Sequence, residues 1–146
     1  MKRPNLKTLI KKKQVRKISK LEKKKRDCNS TYWKKKADKA WGELIHKKYE
    51  SCLVCGTTTS KLEAHHMISR AKVLTRHEPE NGVLLCSYHH KFSPDMSPHA
   101  APLQFSEWLM KEHPDKYGWF LTNRFVTGQK DYEDAYYTLT ELLEAL

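Results

Sequence analysis

The chain has 146 residues, 38% of them hydrophobic and 31% charged, and it carries a formal net charge of +11 at pH 7. Such a length suits one domain with an appendage, and the modest apolar share predicts a small core that a bound metal would help to hold together. No apolar run has the length of a secretory signal or a membrane span, so we expect a reducing, cytoplasmic environment. The four cysteines are then better explained as metal ligands than as disulfides.

The positive charge is concentrated near the N-terminus. Residues 1–36 hold 16 Lys and Arg against two acidic residues, whereas residues 37–146 hold 12 against 15. Such a block repels itself, so residues 1–28 are predicted to form a basic arm that is disordered, or helical on DNA. Its contacts with phosphates would be sensitive to salt and indifferent to base sequence, although a solubilising tail is the alternative. The arm residues predicted to bind DNA are Lys11, Lys12, Lys13, Arg16, Lys17, Lys23, Lys24, Lys25 and Arg26.

A single domain is expected over residues 29–146, with a metal-binding core at 50–93 between helical segments at 31–49 and 103–146. A helix-start signal precedes the first segment, and the two tryptophans in its apolar stripe are predicted to lie in the core rather than to stack on bases. The stripe consists of Trp33, Ala37, Ala40, Trp41, Leu44 and Ile45.

The core alternates between apolar and polar residues in a pattern that predicts an α+β fold. Gly56 follows the second of two cysteines, where a tight turn often needs a positive φ. In order, the pattern predicts a knuckle at residues 50–60, a strand at 61–67, a polar loop at 69–80, a buried strand at 82–86 and a short helix from Ser87 onward. Three further helices are predicted at residues 104–112, 114–125 and 131–146.

Two pairs of potential ligands have the spacing of a zinc site. Cys52 and Cys55 form one Cys-x-x-Cys pair, and Cys86 and His89 form a second pair at a strand end. Zinc is held by four sulfur or nitrogen ligands in a tetrahedron, often supplied by two such pairs. We therefore predict a structural Cys3His zinc site, with His90 as the competitor for the fourth position.

Four further polar residues remain when the zinc ligands are set aside: the pair His65-His66, then Asn81, then His90. Their order and spacing resemble the HNH family of nucleases, whose ββα-metal fold is a hairpin crossed by a helix. In that family a His pair ends the first strand, an Asn follows, and a His lies on the helix. The resemblance covers residues 52–92.

The resemblance implies roles for these residues in cutting DNA. His66 would be the general base that activates water, and His65 and His90 would bind a catalytic divalent cation, Mg²⁺ or Mn²⁺. Asn81 would either orient the loop and His66 or ligate the metal. The products would be a 5′-phosphate and a 3′-hydroxyl. Because residues adjacent on a strand point to opposite faces, His65 and His66 are expected to have different roles.

One position departs from the family pattern and leaves the coordination sphere open. Members with a histidine-rich site often have another ligand four residues after the helix His, and this chain has Pro94 there. Asp95, His99 or water would complete the sphere. Two protein ligands with waters would suit Mg²⁺, whereas Mn²⁺ or Ni²⁺ would tolerate imidazoles better.

The loop between the strands holds three basic residues, Arg70, Lys72 and Arg76, which would grip phosphates or form a solvated face. The remaining histidines, His46, His77, His99 and His113, show no pattern that distinguishes them from surface residues.

The layout of a basic arm before the nuclease motif also resembles phage recombination-associated nucleases of the NinG/Rap type. That resemblance implies a bacterial or phage-infected host cell, and branched DNA as a substrate. No helix has the pattern that reads bases in a major groove, so weak sequence specificity is expected. Cutting both strands would require two protomers. The alternatives are a non-catalytic zinc module that binds DNA or RNA and, less well supported, an adaptor that uses the C-terminal helices.

Overall fold

The computed structural model describes residues 6–146, with side chains from residue 13 onward. It is an α+β protein, as predicted, in which helices surround a two-stranded antiparallel sheet. None of the helices in the described part of the chain is long and apolar enough to cross a membrane. The elements are α1 (Leu6–Arg26), α2 (Thr31–Lys48), β1 (Leu62–His66), β2 (Gly82–Cys86), a π-helical turn (Tyr88–Phe92), α3 (Pro102–Glu112), α4 (Pro114–Asn123) and α5 (Tyr132–Ala145).

The basic segment forms one long helix, α1, whose side chains from Lys13 to Arg26 are exposed. The side chains of Lys11 and Lys12 lie outside the described residues. The C-terminal end of α1 is attached to α2, because Ser30 Oγ donates to the Lys24 carbonyl at 2.5 Å and Trp33 Nε1 donates to the Lys25 carbonyl at 2.9 Å. Helix ends leave carbonyls without partners inside the helix, and these two bonds satisfy two of them.

The main hydrophobic core lies between α2, α5 and β2. Helix α2 buries Trp33 and Trp41, as predicted. Trp41 packs in this core with Leu84 of β2 and Leu139 of α5. Helix α5 begins at an N-cap, Asp131, whose carboxylate accepts from two backbone amides of the first turn. This packing places α2 directly against the sheet.

The two strands pair in a register that sets His66 opposite Gly82 and His65 opposite Val83. Every residue of β2 is buried, as its apolar run predicted. A side chain at Gly82 would meet Ile45, because a Cβ there would lie 2.2 Å from its Cδ1. Glycine at this position therefore allows α2 to pack closely against β2, at the point where β2 pairs with His66.

The cysteine knuckle is built on a tight turn and is attached to the sheet. The amide of Gly56 donates to the Cys52 carbonyl, and Gly56 has a φ of +69°, which confirms the predicted positive value. The Leu53 amide donates to the Leu84 carbonyl at 2.8 Å. The knuckle is thus held beside the end of β2, where the second pair of zinc ligands begins.

The later elements match their predictions with small differences at the ends. The short helix expected from Ser87 is a single π-helical turn. Helix α3 begins at Pro102, two residues before its predicted start, because proline suits the first turn of a helix, and it contributes Phe105 to a second core with Val83 and Leu85. The π-helical turn and α3 flank the face of β1 that carries His65.

Candidate metal centres and active site

Four predicted zinc ligands converge in the structure: Cys52, Cys55, Cys86 and His89. The Cys55 and Cys86 sulfurs are 4.0 Å apart, and His89 Nδ1 lies 3.3 Å from Cys86 Sγ and 3.8 Å from Cys52 Sγ. A tetrahedral ion with metal–sulfur bonds of about 2.3 Å separates its sulfurs by about 3.8 Å, so the cluster has the dimensions of a zinc site. His89 faces this cluster and is the fourth residue of the set.

The environment of Cys52 suits a metal-bound thiolate. Burial raises the pKa of this thiol, but hydrogen bonds from backbone amides outweigh burial, and the pKa is lowered. Zinc binds the thiolate form, and amides that point at the sulfur stabilise that form.

A second cluster lies on the other side of the π-helical turn and consists of His65, His90 and His99. His90 Nε2 lies 3.1 Å from His65 Nδ1 and 3.2 Å from His99 Nε2. His65 and His90 were predicted to lie together. His99 is exposed, and it shows no sequence pattern of its own beyond being, with Asp95 and water, a candidate to complete the coordination sphere. Of these two side chains, the structure brings His99 to His90, because the loop after Pro94 returns it to the helix histidine.

Glu63 is a site residue that the sequence did not indicate. Its Oε2 accepts from His90 Nδ1 at 2.6 Å, and Lys91 and Lys61 also contact the carboxylate. The hydrogen bond from His90, followed by that from Lys91, lowers the pKa of Glu63 to about 2. A carboxylate that accepts from one ring nitrogen leaves the other free for a metal. The only sequence signal was the alternation that puts Glu63 and His65 on the same face of β1.

His66 points to the opposite face of β1 from His65, as the strand geometry predicts. Its ring stacks on Trp41, with ring centres 3.6 Å apart and planes 16° apart. Its Nε2 lies 2.9 Å from the Arg76 carbonyl, which can only accept, so Nε2 carries the hydrogen and Nδ1 is free. Burial is the largest cause that lowers the pKa of His66 to about 4, so the ring is neutral at pH 7.

One cavity joins the two faces at the end of β1. It has a volume of about 790 Å³, and His65, His66, His90 and His99 all border it. The exposed residue Arg70 borders it as well. Phe105 and Leu109 of α3 form an apolar wall on the far side. The cavity therefore brings an oriented imidazole and a cluster of imidazole nitrogens to one opening.

Two residues of the connecting loop have positions that differ from the prediction. Arg76 binds both carboxylate oxygens of Asp38 on α2, donates to the Arg70 carbonyl, and is only 11% exposed. Its donors are thus used inside the protein, and the predicted phosphate contact is replaced by a role in holding the loop. His77, expected at the surface, is 2% exposed and contacts Asp38 at 2.8 Å. Burial raises the pKa of Asp38, but the hydrogen bonds from Arg76 and His77 outweigh it and lower that pKa well below its usual range.

Asn81 is fully buried, and its side chain bonds to the loop backbone. Oδ1 accepts from the Ile68 amide at 2.6 Å, and Nδ2 donates to the carbonyls of Ile68 and Thr75 at 3.0 and 2.9 Å. An amide can only donate and a carbonyl can only accept, so these partners fix the orientation of the side chain. The contacts support the orienting role for Asn81, since they fasten the loop that supplies the carbonyl partner of His66.

The other predicted residues stand apart from the two clusters. Lys72 is partly buried in the loop, and Asp95 is exposed in the segment before His99. His46 is exposed on α2. Comparisons of the chain with protein-family models, with curated proteins and with solved structures gave no match.

Proposed function

We propose that this chain is a metal-dependent endonuclease that hydrolyses phosphodiester bonds of DNA. The observation that carries the proposal is a single cavity bordered by an oriented, neutral imidazole, His66, and by the converging nitrogens of His65 and His90. Phosphodiester hydrolysis needs an activated water, neutralisation of charge on the phosphate and a stabilised leaving oxygen. A module that only binds nucleic acid needs no second histidine cluster of this kind.

His66 is proposed as the general base. Its Nε2–H is directed to the Arg76 carbonyl, so Nδ1 is the atom that takes a proton from water. Stacking on Trp41 and the hydrogen bond together hold the ring in one orientation. A base that is already positioned and unprotonated at pH 7 does not need to be reorganised before the reaction. The products are then a 5′-phosphate and a 3′-hydroxyl, as the resemblance to HNH nucleases implies.

His65 and His90 are proposed to hold the divalent cation, Mg²⁺ or Mn²⁺. That cation, when bound, would polarise the phosphate and stabilise the leaving oxygen. Glu63 directs His90 by accepting from Nδ1, which leaves Nε2 facing the cavity. The Cys3His cluster is proposed to bind a separate, structural zinc ion, which would hold the knuckle, β2 and the π-helical turn together.

The distribution of charge supports DNA as the partner. Helix α1 presents a dense row of exposed basic side chains, and Arg70 is exposed at the rim of the cavity. Contacts of this kind bind the phosphate backbone with little regard to sequence. Branched DNA as the preferred substrate is a proposal that rests on the resemblance to phage recombination nucleases.

A non-catalytic zinc module that binds DNA or RNA is the second candidate. The Cys3His cluster together with α1 would suffice for that function. The two candidates differ in what they require of His66, which contributes nothing to the Cys3His cluster.

The test is cleavage of supercoiled plasmid and of a branched oligonucleotide with Mg²⁺, Mn²⁺ or EDTA. Three proteins would be compared: wild type, His66→Ala, and a control, His46→Ala, in which the replaced histidine is exposed on α2. We expect cation-dependent cutting by the wild type and the control, and a rate at least about 100-fold lower in His66→Ala. Zinc content and DNA binding should not change. No cutting by the wild type, with zinc and DNA both bound, would favour the binding module.

A further inference from the structure

We propose that His99 is a third ligand for the cation at His65 and His90, so that the site offers three imidazoles and prefers a transition-metal ion such as Mn²⁺ to Mg²⁺. The inference deepens the proposed function and rests on it only in treating that cation as the catalytic one. The residue four positions after His90 is Pro94, which has no metal-binding side chain. The third imidazole comes instead from a loop nine residues beyond His90.

The contacts among the three rings are poorly explained by hydrogen bonds alone. Glu63 is a carboxylate in contact with Lys61 and Lys91, so it accepts, and His90 Nδ1 carries the hydrogen that points at it. With Nδ1–H directed at Glu63, Nε2 of His90 has one position in the ring plane, a lone pair or a hydrogen, yet that atom faces both His65 Nδ1 and His99 Nε2. One such position cannot form a well-aligned hydrogen bond with both nitrogens, since the hydrogen must lie close to the line between donor and acceptor.

A cation among the three nitrogens removes this conflict. Metal–nitrogen bonds of about 2.1 Å put neighbouring ligand nitrogens about 3.0 to 3.4 Å apart in octahedral or tetrahedral geometry. The observed nitrogen–nitrogen distances are 3.1 Å and 3.2 Å. Each ring would then direct a lone pair at the same point, and His90 would keep its bond to Glu63.

The loop that carries His99 is held in shape by a buried serine. Ser97 is 0% exposed, and its hydroxyl donates to the His90 carbonyl at 2.8 Å. The same oxygen accepts from the amides of His99 at 3.2 Å and Ala100 at 3.1 Å. One hydroxyl thus links the backbone of the helix ligand to the backbone of the loop ligand. These hydrogen bonds fix the position of the His99 backbone and so keep its ring within reach of His90.

The number of imidazoles determines which cation suits the site. Mg²⁺ prefers oxygen ligands and keeps several waters, so a site with two imidazoles and open positions still accommodates it. A third imidazole replaces another oxygen and favours ions that bind nitrogen more strongly, in the order Mn²⁺, Co²⁺, Ni²⁺. Because the side chain of His99 is exposed, solvent and a phosphate group could reach a cation held by these three residues.

The test uses the full-length, zinc-loaded protein and measures the binding of Mn²⁺ by electron paramagnetic resonance, with Mg²⁺ as competitor. Wild type would be compared with His99→Ala and with the control His46→Ala. Because His99 is exposed, its replacement leaves the core intact. We expect the wild type and the control to bind Mn²⁺ at least tenfold more tightly than Mg²⁺, and His99→Ala to bind Mn²⁺ at least about tenfold more weakly. Spin-echo modulation from bound Mn²⁺ should show three coordinated imidazoles in the wild type and two in His99→Ala.

Three results would overturn the inference in distinguishable ways. Equal Mn²⁺ affinity and equal nitrogen modulation in wild type and His99→Ala would show that His99 is not a ligand, and would leave the proposed nuclease intact. Equal affinities of the wild type for Mg²⁺ and Mn²⁺ would refute the preference for Mn²⁺ and would also leave the proposed nuclease intact. A wild type that binds neither cation would overturn the inference and the proposed function together.

Discussion

Replacing Asn81 with Asp tests whether this residue fastens the loop or binds the metal. The substitution keeps the shape of the side chain and the acceptor for the Ile68 amide. It turns Nδ2 into an oxygen that faces two carbonyls, those of Ile68 and Thr75. A buried polar group without its partner costs about 1–3 kcal/mol, so two of them predict a decrease of about 2–6 kcal/mol in the free energy of unfolding.

Chemical denaturation of the zinc-loaded protein, followed by tryptophan fluorescence, measures this decrease. Asn123→Asp is the matched control, because the Asn123 amide makes a single hydrogen bond, to the Trp119 carbonyl at 2.8 Å, in a half-buried position. We expect the control to cost about 1 kcal/mol or less. Carboxylates are strong ligands for hard cations. A stable Asn81→Asp protein with tighter Mn²⁺ binding would therefore refute the orienting role and make Asn81 a metal ligand.

Three other changes test the packing, the zinc cluster and the basic helix. Gly82→Ala pushes a methyl group into the buried Ile45 side chain and should lower the free energy of unfolding by about 1–3 kcal/mol. In the control Gly42→Ala the added methyl group would meet no atom within 4 Å beyond the adjoining backbone of its own helix, so this change should stabilise α2 by about 0.5–1 kcal/mol. Cys52→Ser should lower the zinc content and should lower the free energy of unfolding by several of the roughly 10 kcal/mol that a structural zinc contributes. A Cys52→Ser protein that lacks zinc and still gives the circular dichroism spectrum of the wild type would contradict this prediction. Removal of residues 1–28 should weaken DNA binding and reduce its dependence on salt. The slope of the logarithm of the binding constant against the logarithm of the salt concentration should fall by about one unit for each phosphate that the arm neutralises. If the truncated protein binds DNA as the full chain does across a salt titration, the arm has no role in binding.

Local patterns predicted most of the architecture because they depend on residues close together in the chain. The stripe in α2, the alternation in β1 and the apolar run of β2 each fall within one element, and the structure places these elements within a residue or two of the prediction. The Cys3His cluster was predictable for the same reason, since each half is a pair of ligands three residues apart.

The parts of the site that the sequence did not reveal depend on contacts between distant segments. Trp41 stacks on His66 across 25 positions, and Asp38 holds Arg76 across 38. Glu63 faces His90 only because β1 lies beside the π-helical turn. Charged residues such as Arg76 resemble surface residues in a sequence, and only the carboxylate on another element shows that the charge is used inside the protein.

The position of His99 illustrates the same limit within a short stretch of chain. Three prolines at 94, 98 and 102 indicate a loop in this stretch but do not indicate its path. The path is set by the hydroxyl of Ser97, whose partners include the carbonyl of His90. A serine in a proline-rich segment carries no sequence signal for such a bond, so the sequence left Asp95, His99 and water as candidates for the third position and only the fold distinguished His99 from Asp95.

Chemical rescue of His66→Ala asks whether the imidazole of His66 is the base that activates water. Removing the ring leaves a space beside Trp41, on the wall of a cavity of about 790 Å³ that small molecules can enter. The assay is the rate of plasmid nicking with Mn²⁺ as imidazole is added to the zinc-loaded variant. We predict that His66→Ala is inactive alone and gains activity in proportion to imidazole, while the wild type does not respond. Nicking by His66→Ala at the wild-type rate without imidazole would contradict the role of His66 as the base.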